Sequence, residues 1–217
     1  MRQQHHLLNT KVKKLKIDNK NESQRKELMI NEIFYSIQGE GRNSGTAMSF
    51  IRVSGCNLNC EFCDTKYALD NGQRMTVHEI MNSIYLHESK SVCITGGEPT
   101  LYNLFYLTSV LHNKGYYIAI ETNGKEAIPI HTLPYLDWIT ISPKSRIFSQ
   151  RFGHELKLVD TNLDGGDLRY FEQFDFIYFY LQPLSNTKES ITHCIQLIKE
   201  NPKWRLSIQM HKVVNVR

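Results

Sequence analysis

From position 48 onward the chain alternates short apolar or β-branched runs with stretches of helical periodicity, and that alternation leaves few folds open. Met48–Val53, Val92–Thr95, Tyr116–Glu121, Trp138–Ser142, Glu155–Val159, Phe176–Leu181 and Leu206–Met210 read as strands. Several are continuously apolar, as expected of strands covered on both faces. Between them Val77, Ile80, Met81 and Ile84 recur at helical spacing behind a Thr76/Glu79 capping box. Leu101, Leu104, Phe105, Thr108 and Leu111 form a second stripe, and Ile191, Cys194, Ile195 and Ile198 a third. Strands alternating with helices imply right-handed crossovers and a parallel sheet, either open or curled into a partial barrel. Residues 30–217 contain no internal repeat and no linker, so they read as one α/β domain.

Residues 1–29 differ in kind. They hold eight of the chain's 26 Lys and Arg residues against three of its 22 Asp and Glu residues, and they lack a periodic apolar face. A solvated, flexible leader is the expectation, with a nucleic-acid arm or a targeting segment as alternatives. The formal net charge of +4 therefore belongs to the leader, and the near-neutral domain gives no electrostatic reason to expect a nucleic-acid partner. No apolar run approaches the ~20 residues needed to span a bilayer, and no signal-peptide pattern opens the sequence. The expected compartment is the cytoplasm, with no membrane partner.

Five cysteines are present, and Cys56, Cys60 and Cys63 fall within eight residues, following the strand that ends at Val53. An odd, clustered count in a chain without an export signal argues for metal or redox chemistry rather than a disulfide framework. Three thiolates on one loop can hold three irons of a 4Fe-4S cube and leave the fourth iron open to a small ligand. Zinc is the competing metal, although a structural zinc site wants a fourth Cys or His that this loop does not offer. Cys93, inside a strand, and Cys194, on an apolar helix face, read as buried small hydrophobes.

A second motif, Thr95-Gly96-Gly97-Glu98-Pro99, ends the next strand. Its glycines permit close approach of a ligand, or form no more than a tight turn between strand and helix. Other local signals are Ser36-Ile37-Gln38-Gly39-Glu40-Gly41, Phe50-Ile51-Arg52-Val53-Ser54-Gly55, Asp64-Thr65, Glu121-Thr122-Asn123-Gly124, Ser142-Pro143-Lys144, Gln182-Pro183 and Leu206-Ser207-Ile208-Gln209-Met210-His211-Lys212. Taken in this order, the set resembles the 7-carboxy-7-deazaguanine synthase family of the radical S-adenosylmethionine superfamily, across roughly residues 30–217.

The resemblance implies a partial, modified (β/α) barrel, a 4Fe-4S cluster on Cys56, Cys60 and Cys63, and adenosylmethionine bound at the open iron. It implies a ring contraction in the queuosine precursor pathway. An adenosyl radical takes hydrogen from the carboxylate-bearing carbon of 6-carboxy-5,6,7,8-tetrahydropterin, and 7-carboxy-7-deazaguanine forms with loss of ammonia. It further implies Mg²⁺ on Thr65, a flavodoxin- or ferredoxin-type electron donor, and a homodimer. Substrate contacts carry over to Ile37, Gln38, Gly39, Arg52, Thr95 and Arg217. Adenosylmethionine contacts carry over to Phe62, Cys63, Asp64, Gly97, Ser142, Pro143, Lys144, Gln182, Pro183, Leu184 and Ser185.

Several of these residues also have plainer readings. Arg52 lies in an apolar strand, where a charge needs a partner: the substrate carboxylate, or an internal carboxylate such as Glu40. Thr65 suits a helix N-cap as well as a metal, and Gln38 suits a surface turn as well as the amide-like edge of a pterin. His211 and Lys212 are equally consistent with site and structural roles. Two other functions share the cysteine spacing: an activase that docks a glycyl-radical protein, and a non-catalytic iron–sulfur or zinc protein.

Overall fold

The computed structural model describes residues 27–161 and 168–216; the segment 1–26 and Arg217 lie outside the described residues. The strands are β1 (Glu27–Ile37), β2 (Ala47–Val53), β3 (Gln73–Thr76), β4 (Ser91–Gly96), β5 (Tyr117–Thr122), β6 (Trp138–Ile141), β7 (Phe152–Val159), β8 (Asp175–Gln182) and β9 (Trp204–Leu206). Helices α1 (Val77–Tyr85), α2 (Phe105–Asn113), α3 (Lys188–Glu200) and the short α4 (Met210–Val213) complete the regular structure. All nine strands join one sheet in the order β3-β1-β2-β4-β5-β6-β7-β8-β9. From β2 to β9 every pairing is parallel, while β1 runs antiparallel to both β2 and β3. The sheet is curled but not closed: β3 and β9 are its two ends.

Six of the seven expected strands lie where the pattern put them. The helix over Val77–Tyr85 begins at the Thr76/Glu79 capping box, with both reciprocal bonds made. The second helix starts later than its apolar stripe, because Pro99–Leu101 forms a separate 3-10 turn held by the Glu98 side chain.

The seventh strand is Trp204–Leu206 rather than Leu206–Met210. After Leu206 the chain leaves the sheet, and Gln209 turns inward to bond Glu40 and Asp64. β1 and β3 were not legible. β1 changes face at an irregularity between Ile30 and Glu32, so Leu28, Ile30 and Ile33 all reach the helix-side core although strict alternation fails. β1 also takes in residues 27–29, which the sequence reading gave to the leader. Leu28 is buried and the Met29 carbonyl accepts a bond from Ser54 N.

The two faces of the sheet differ, contrary to the expectation of apolar cover on both. Ile51, Val53, Ile94, Ile120, Ile141 and Leu156 face outward and pack with Ile80, Ile84, Leu107 and Leu111 of α1 and α2 in the main core. The inner face is layered along the strands. Near the strand N-termini lies a small second core of Met48, Phe50, Cys93 and Ala119, flanked by Phe34, Tyr117 and Trp138. Two residues further on, the same face carries Arg52, Thr95, Glu121 and Thr140, with Arg52 paired to Thr95 and Glu121 to Thr140 in the ladder. This polar rung is the floor of a cavity at the C-terminal ends of the strands, where open and barrel α/β sheets carry their sites.

Candidate active site

The cavity has a volume of about 410 Å³. Its rim and walls gather nearly every residue singled out from the sequence. Cys56, Cys60 and Cys63 border it, with Phe62, Asp64 and Thr65 beside them. Ile37, Gln38, Gly39, Arg52 and Thr95 line it from β1, β2 and β4. Gly97, Ser142, Lys144, Gln182, Pro183, Leu184 and Ser185 line it at the ends of β4, β6 and β8. Pro143 does not border the cavity, although both its neighbours do. The expectation for Arg217 falls outside the described residues.

The cysteine loop and the Gly-Gly-Glu turn are stitched together by backbone bonds. Gly97 N donates to Val53 O at 3.0 Å and Glu98 N to Gly55 O at 2.8 Å. A Cβ on Gly97 would sit 1.8 Å from Gly55 O, so only glycine allows this approach. The Glu98 carboxylate is fully buried and accepts from Thr100 N, Thr122 Oγ1 and Asn123 N. The motif is therefore more than a tight turn: it ties β2, β4 and β5 together beneath the loop. The Asn123 amide it anchors points at Cys56 Sγ, 4.0 Å away.

The donor chemistry of the loop fits an iron–sulfur cluster. All five cysteines are free, and burial raises the Cys56 and Cys60 thiols above their usual range. A buried thiol of this kind becomes a thiolate when cationic iron compensates the charge. Thr65 sits at the N-cap position of the Lys66–Ala68 turn, but its side chain makes no capping bond. Its hydroxyl lies 3.5 Å from Cys63 Sγ and borders the cavity.

Below the loop the floor is charged. Lys157 is buried, pairs with Glu40, and stands 4.0 Å from Glu121. Burial alone would raise the Glu40 carboxyl, yet the charge and hydrogen bond of Lys157, helped by Gln209, lower it to about 2. Burial would likewise deprotonate Lys157, but Glu40, Glu121 and Glu155 hold it cationic. Glu121 accepts from Gln38 Nε2 and Thr95 Oγ1, each at 3.0 Å. The floor thus presents hydrogen-bonded carboxyl oxygens beside amide and hydroxyl groups, suited to a ligand whose edge carries several N–H donors.

The Gln-Gly-Glu-Gly segment is a packed lip. Gln38 is buried, which removes the surface-turn reading. A Cβ on Gly39 would collide with the His211 ring, and Gly41, at φ +63°, would drive one into the Glu155 carboxylate. Met210 N donates to Gly39 O and Lys212 Nζ to Asp64 Oδ2, so α4 closes the lip against the cysteine loop. His211 and Lys212 both border the cavity.

Arg52 is paired internally, but with Glu32 at 2.8 Å through Nε rather than with Glu40. Its guanidinium also lies over the Phe34 and Tyr67 rings, 5.8 and 5.9 Å from their centroids, and the residue borders the cavity. Cys93 and Cys194 are fully buried, as expected. Lys157 stands in none of the motifs singled out from the sequence, and Glu121, Asn123 and Gln209 were named there only as members of motifs, without a role. The available signal was the one used for Arg52, a charge inside an apolar strand, which Glu155 and Lys157 repeat in β7.

Comparison with known proteins gives a consistent result. The radical SAM superfamily model matches residues 50–145. A 7-carboxy-7-deazaguanine synthase of Bacteroides thetaiotaomicron is 41% identical over 192 residues, covering 87% of this chain and 98% of that one. One from Haemophilus influenzae is 38% identical over 200 residues, covering 85% and 92%. The crystal structure of QueE from Escherichia coli superposes with a TM-score of 0.72 at 25% identity, covering 89% of this chain and 100% of that one.

Proposed function

The chain belongs to the 7-carboxy-7-deazaguanine synthase family of radical S-adenosylmethionine enzymes, and we propose that the cavity beneath its cysteine loop is where the pterin ring is contracted. The reaction converts 6-carboxy-5,6,7,8-tetrahydropterin to 7-carboxy-7-deazaguanine and ammonia. The observation that carries the site assignment is that three thiols and a carboxylate–lysine floor line one cavity.

The residues divide by height in the cavity. At the top Cys56, Cys60 and Cys63 would hold the 4Fe-4S cluster, which when bound would supply the electron for radical adenosylmethionine chemistry. Phe62, Asp64, Gly97, Ser142, Lys144 and the Gln182–Ser185 turn cradle the nucleoside and its amino acid. At the floor the carboxylate of Glu40, kept ionised by Lys157, accepts from the donor edge of the pterin together with the side chains of Glu121 and Gln38. Arg52 turns its other guanidinium nitrogens to the substrate carboxylate, with Nε kept on Glu32 so that the fork is oriented in advance. The Thr65 hydroxyl, which makes no capping bond, would hold Mg²⁺, and that ion would supply positive charge for an anionic substrate. The lip of Gln38–Gly39 against His211 excludes water from the reacting ring.

The proposal extends to a flavodoxin- or ferredoxin-type donor, a homodimer and a cytoplasmic location. Five free thiols fit a reducing compartment, and among the described residues no helix is long and apolar enough to cross a membrane.

The test is an anaerobic incubation of reconstituted protein with adenosylmethionine, reductant and the pterin across a magnesium titration, read by mass spectrometry. Wild type forms 7-carboxy-7-deazaguanine. Arg52→Lys keeps the charge but loses the fork, and binds pterin about ten- to a hundredfold more weakly while still cleaving adenosylmethionine. Wild-type pterin affinity in Arg52→Lys would overturn the substrate map.

A further inference from the structure

Beyond the end of β7 a buried carboxylate collects more partners than the fold requires. Asp160 N donates to Gln182 O at 2.8 Å, and its side chain, 7% exposed, accepts from Ser190 Oγ at 2.8 Å and His193 Nδ1 at 2.9 Å. The Cys194 thiol also faces it, and burial together with this carboxylate raises that thiol to about 12. Ser190 is a relay, because its hydroxyl also accepts from Leu184 N at 2.8 Å. The segment that this relay reaches is unusual. Ser185 and Asn186 are consecutive non-glycine residues in the left-handed region, at φ 53° and 55°. Such a conformation persists only when its surroundings over-determine it. The far side of the turn is fixed by Asn186, which exchanges two hydrogen bonds with the Gln209 backbone. The Gln209 side chain in turn donates to Asp64, next to the third cysteine of the loop.

The strained turn is therefore clamped from two sides, and Leu184 and Ser185 present it to the cavity. We propose that Asp160 is a positioning residue for adenosylmethionine: through Ser190 it holds the Leu184–Asn186 turn in the one shape that receives the cofactor. The proposal rests on the reading of Gln182–Ser185 as an adenosylmethionine contact. Asp160 does not border the cavity; its effect travels through the Ser190 hydroxyl to the Leu184 amide. Without that acceptor the amide loses its partner, the turn relaxes toward right-handed conformations, and the wall of the nucleoside site opens.

Equilibrium dialysis of labelled adenosylmethionine against the cluster-loaded protein tests this, with pterin affinity and thermal midpoint measured in parallel. Ser190→Ala and Asp160→Asn each weaken adenosylmethionine binding by about tenfold, leave pterin affinity within about twofold, and keep a cooperative melt. Ser190→Thr retains the hydroxyl and restores binding. Unchanged adenosylmethionine affinity in Ser190→Ala, or equal weakening of both ligands, overturns the positioning role. Absence of binding by wild type would instead overturn the assignment of the turn on which the proposal rests.

Discussion

Replacing Lys157 by Met removes a cation from among Glu40, Glu121 and Glu155 while keeping most of the side-chain volume. The effect falls first on Glu40, whose carboxyl is held at about 2 against an ordinary 4.5. Deleting one partner of a buried ion pair costs on the order of 3–5 kcal/mol, and the lowered Glu40 carboxyl marks this pair as one that stabilises the fold. For a chain of this length such a loss lowers the melting midpoint by about 10 °C.

The pH dependence gives a sharper signature. In wild type the depressed Glu40 contributes fully above pH 4.5, and that contribution is lost as pH falls toward 2. In the variant burial acts on Glu40 without its counter-charge, so its carboxyl rises and protonation relieves the cost. The stability deficit of Lys157→Met is therefore largest at pH 8 and narrows as the pH is lowered to 5.5. Circular-dichroism melts of both cluster-loaded proteins across this range check the claim. A midpoint within about 2 °C of wild type at pH 7.5, or a deficit independent of pH, would refute it.

Two further predictions test the frame around the site. Gly97→Ala has no room against the Gly55 carbonyl and should reduce bound iron by more than half, measured by metal analysis. At Gly45, also at positive φ but with nothing within 4 Å of an added Cβ, the same substitution should cost about 1 kcal/mol and leave iron unchanged. A chain beginning at Glu27 keeps the whole of β1 and serves as the reference for a second truncation. One beginning at Ile30 should lose about 3 kcal/mol, since it discards buried Leu28 and the Met29 carbonyl that holds Ser54.

Strands β2 and β4 to β8 were legible because their outward residues must pack on helices, which gives each run an apolar signature. β1 was not, because its break in alternation at Ile30 and Glu32 is imposed by pairing with two neighbours at once. The C-terminal run misled for the opposite reason. Leu206 and Ile208 alternate like a strand, yet both are exposed, while Ser207 turns inward to bond Gly41 and Gln209 to bond Glu40. Within the site, the residues carried by short motifs were all nameable. The charged floor was not, since Glu40 meets Lys157 across 117 positions and Gln209 across 169, distances at which no local pattern records a partner. Arg52 shows the same limit: its need for a carboxylate was readable, but its choice of Glu32 over Glu40 was set by the β1–β2 ladder, which places Glu32 directly opposite.

The central claim is that three thiolates of one loop hold a cluster whose remaining iron is open toward the cavity. Low-temperature electron paramagnetic resonance of the reduced, reconstituted protein, recorded before and after adding adenosylmethionine, addresses it directly. The account predicts a reduced 4Fe-4S signal that changes shape when adenosylmethionine is added, and its loss in Cys60→Ala but not in Cys93→Ala. A signal indifferent to adenosylmethionine, or an intact one in Cys60→Ala, would contradict it.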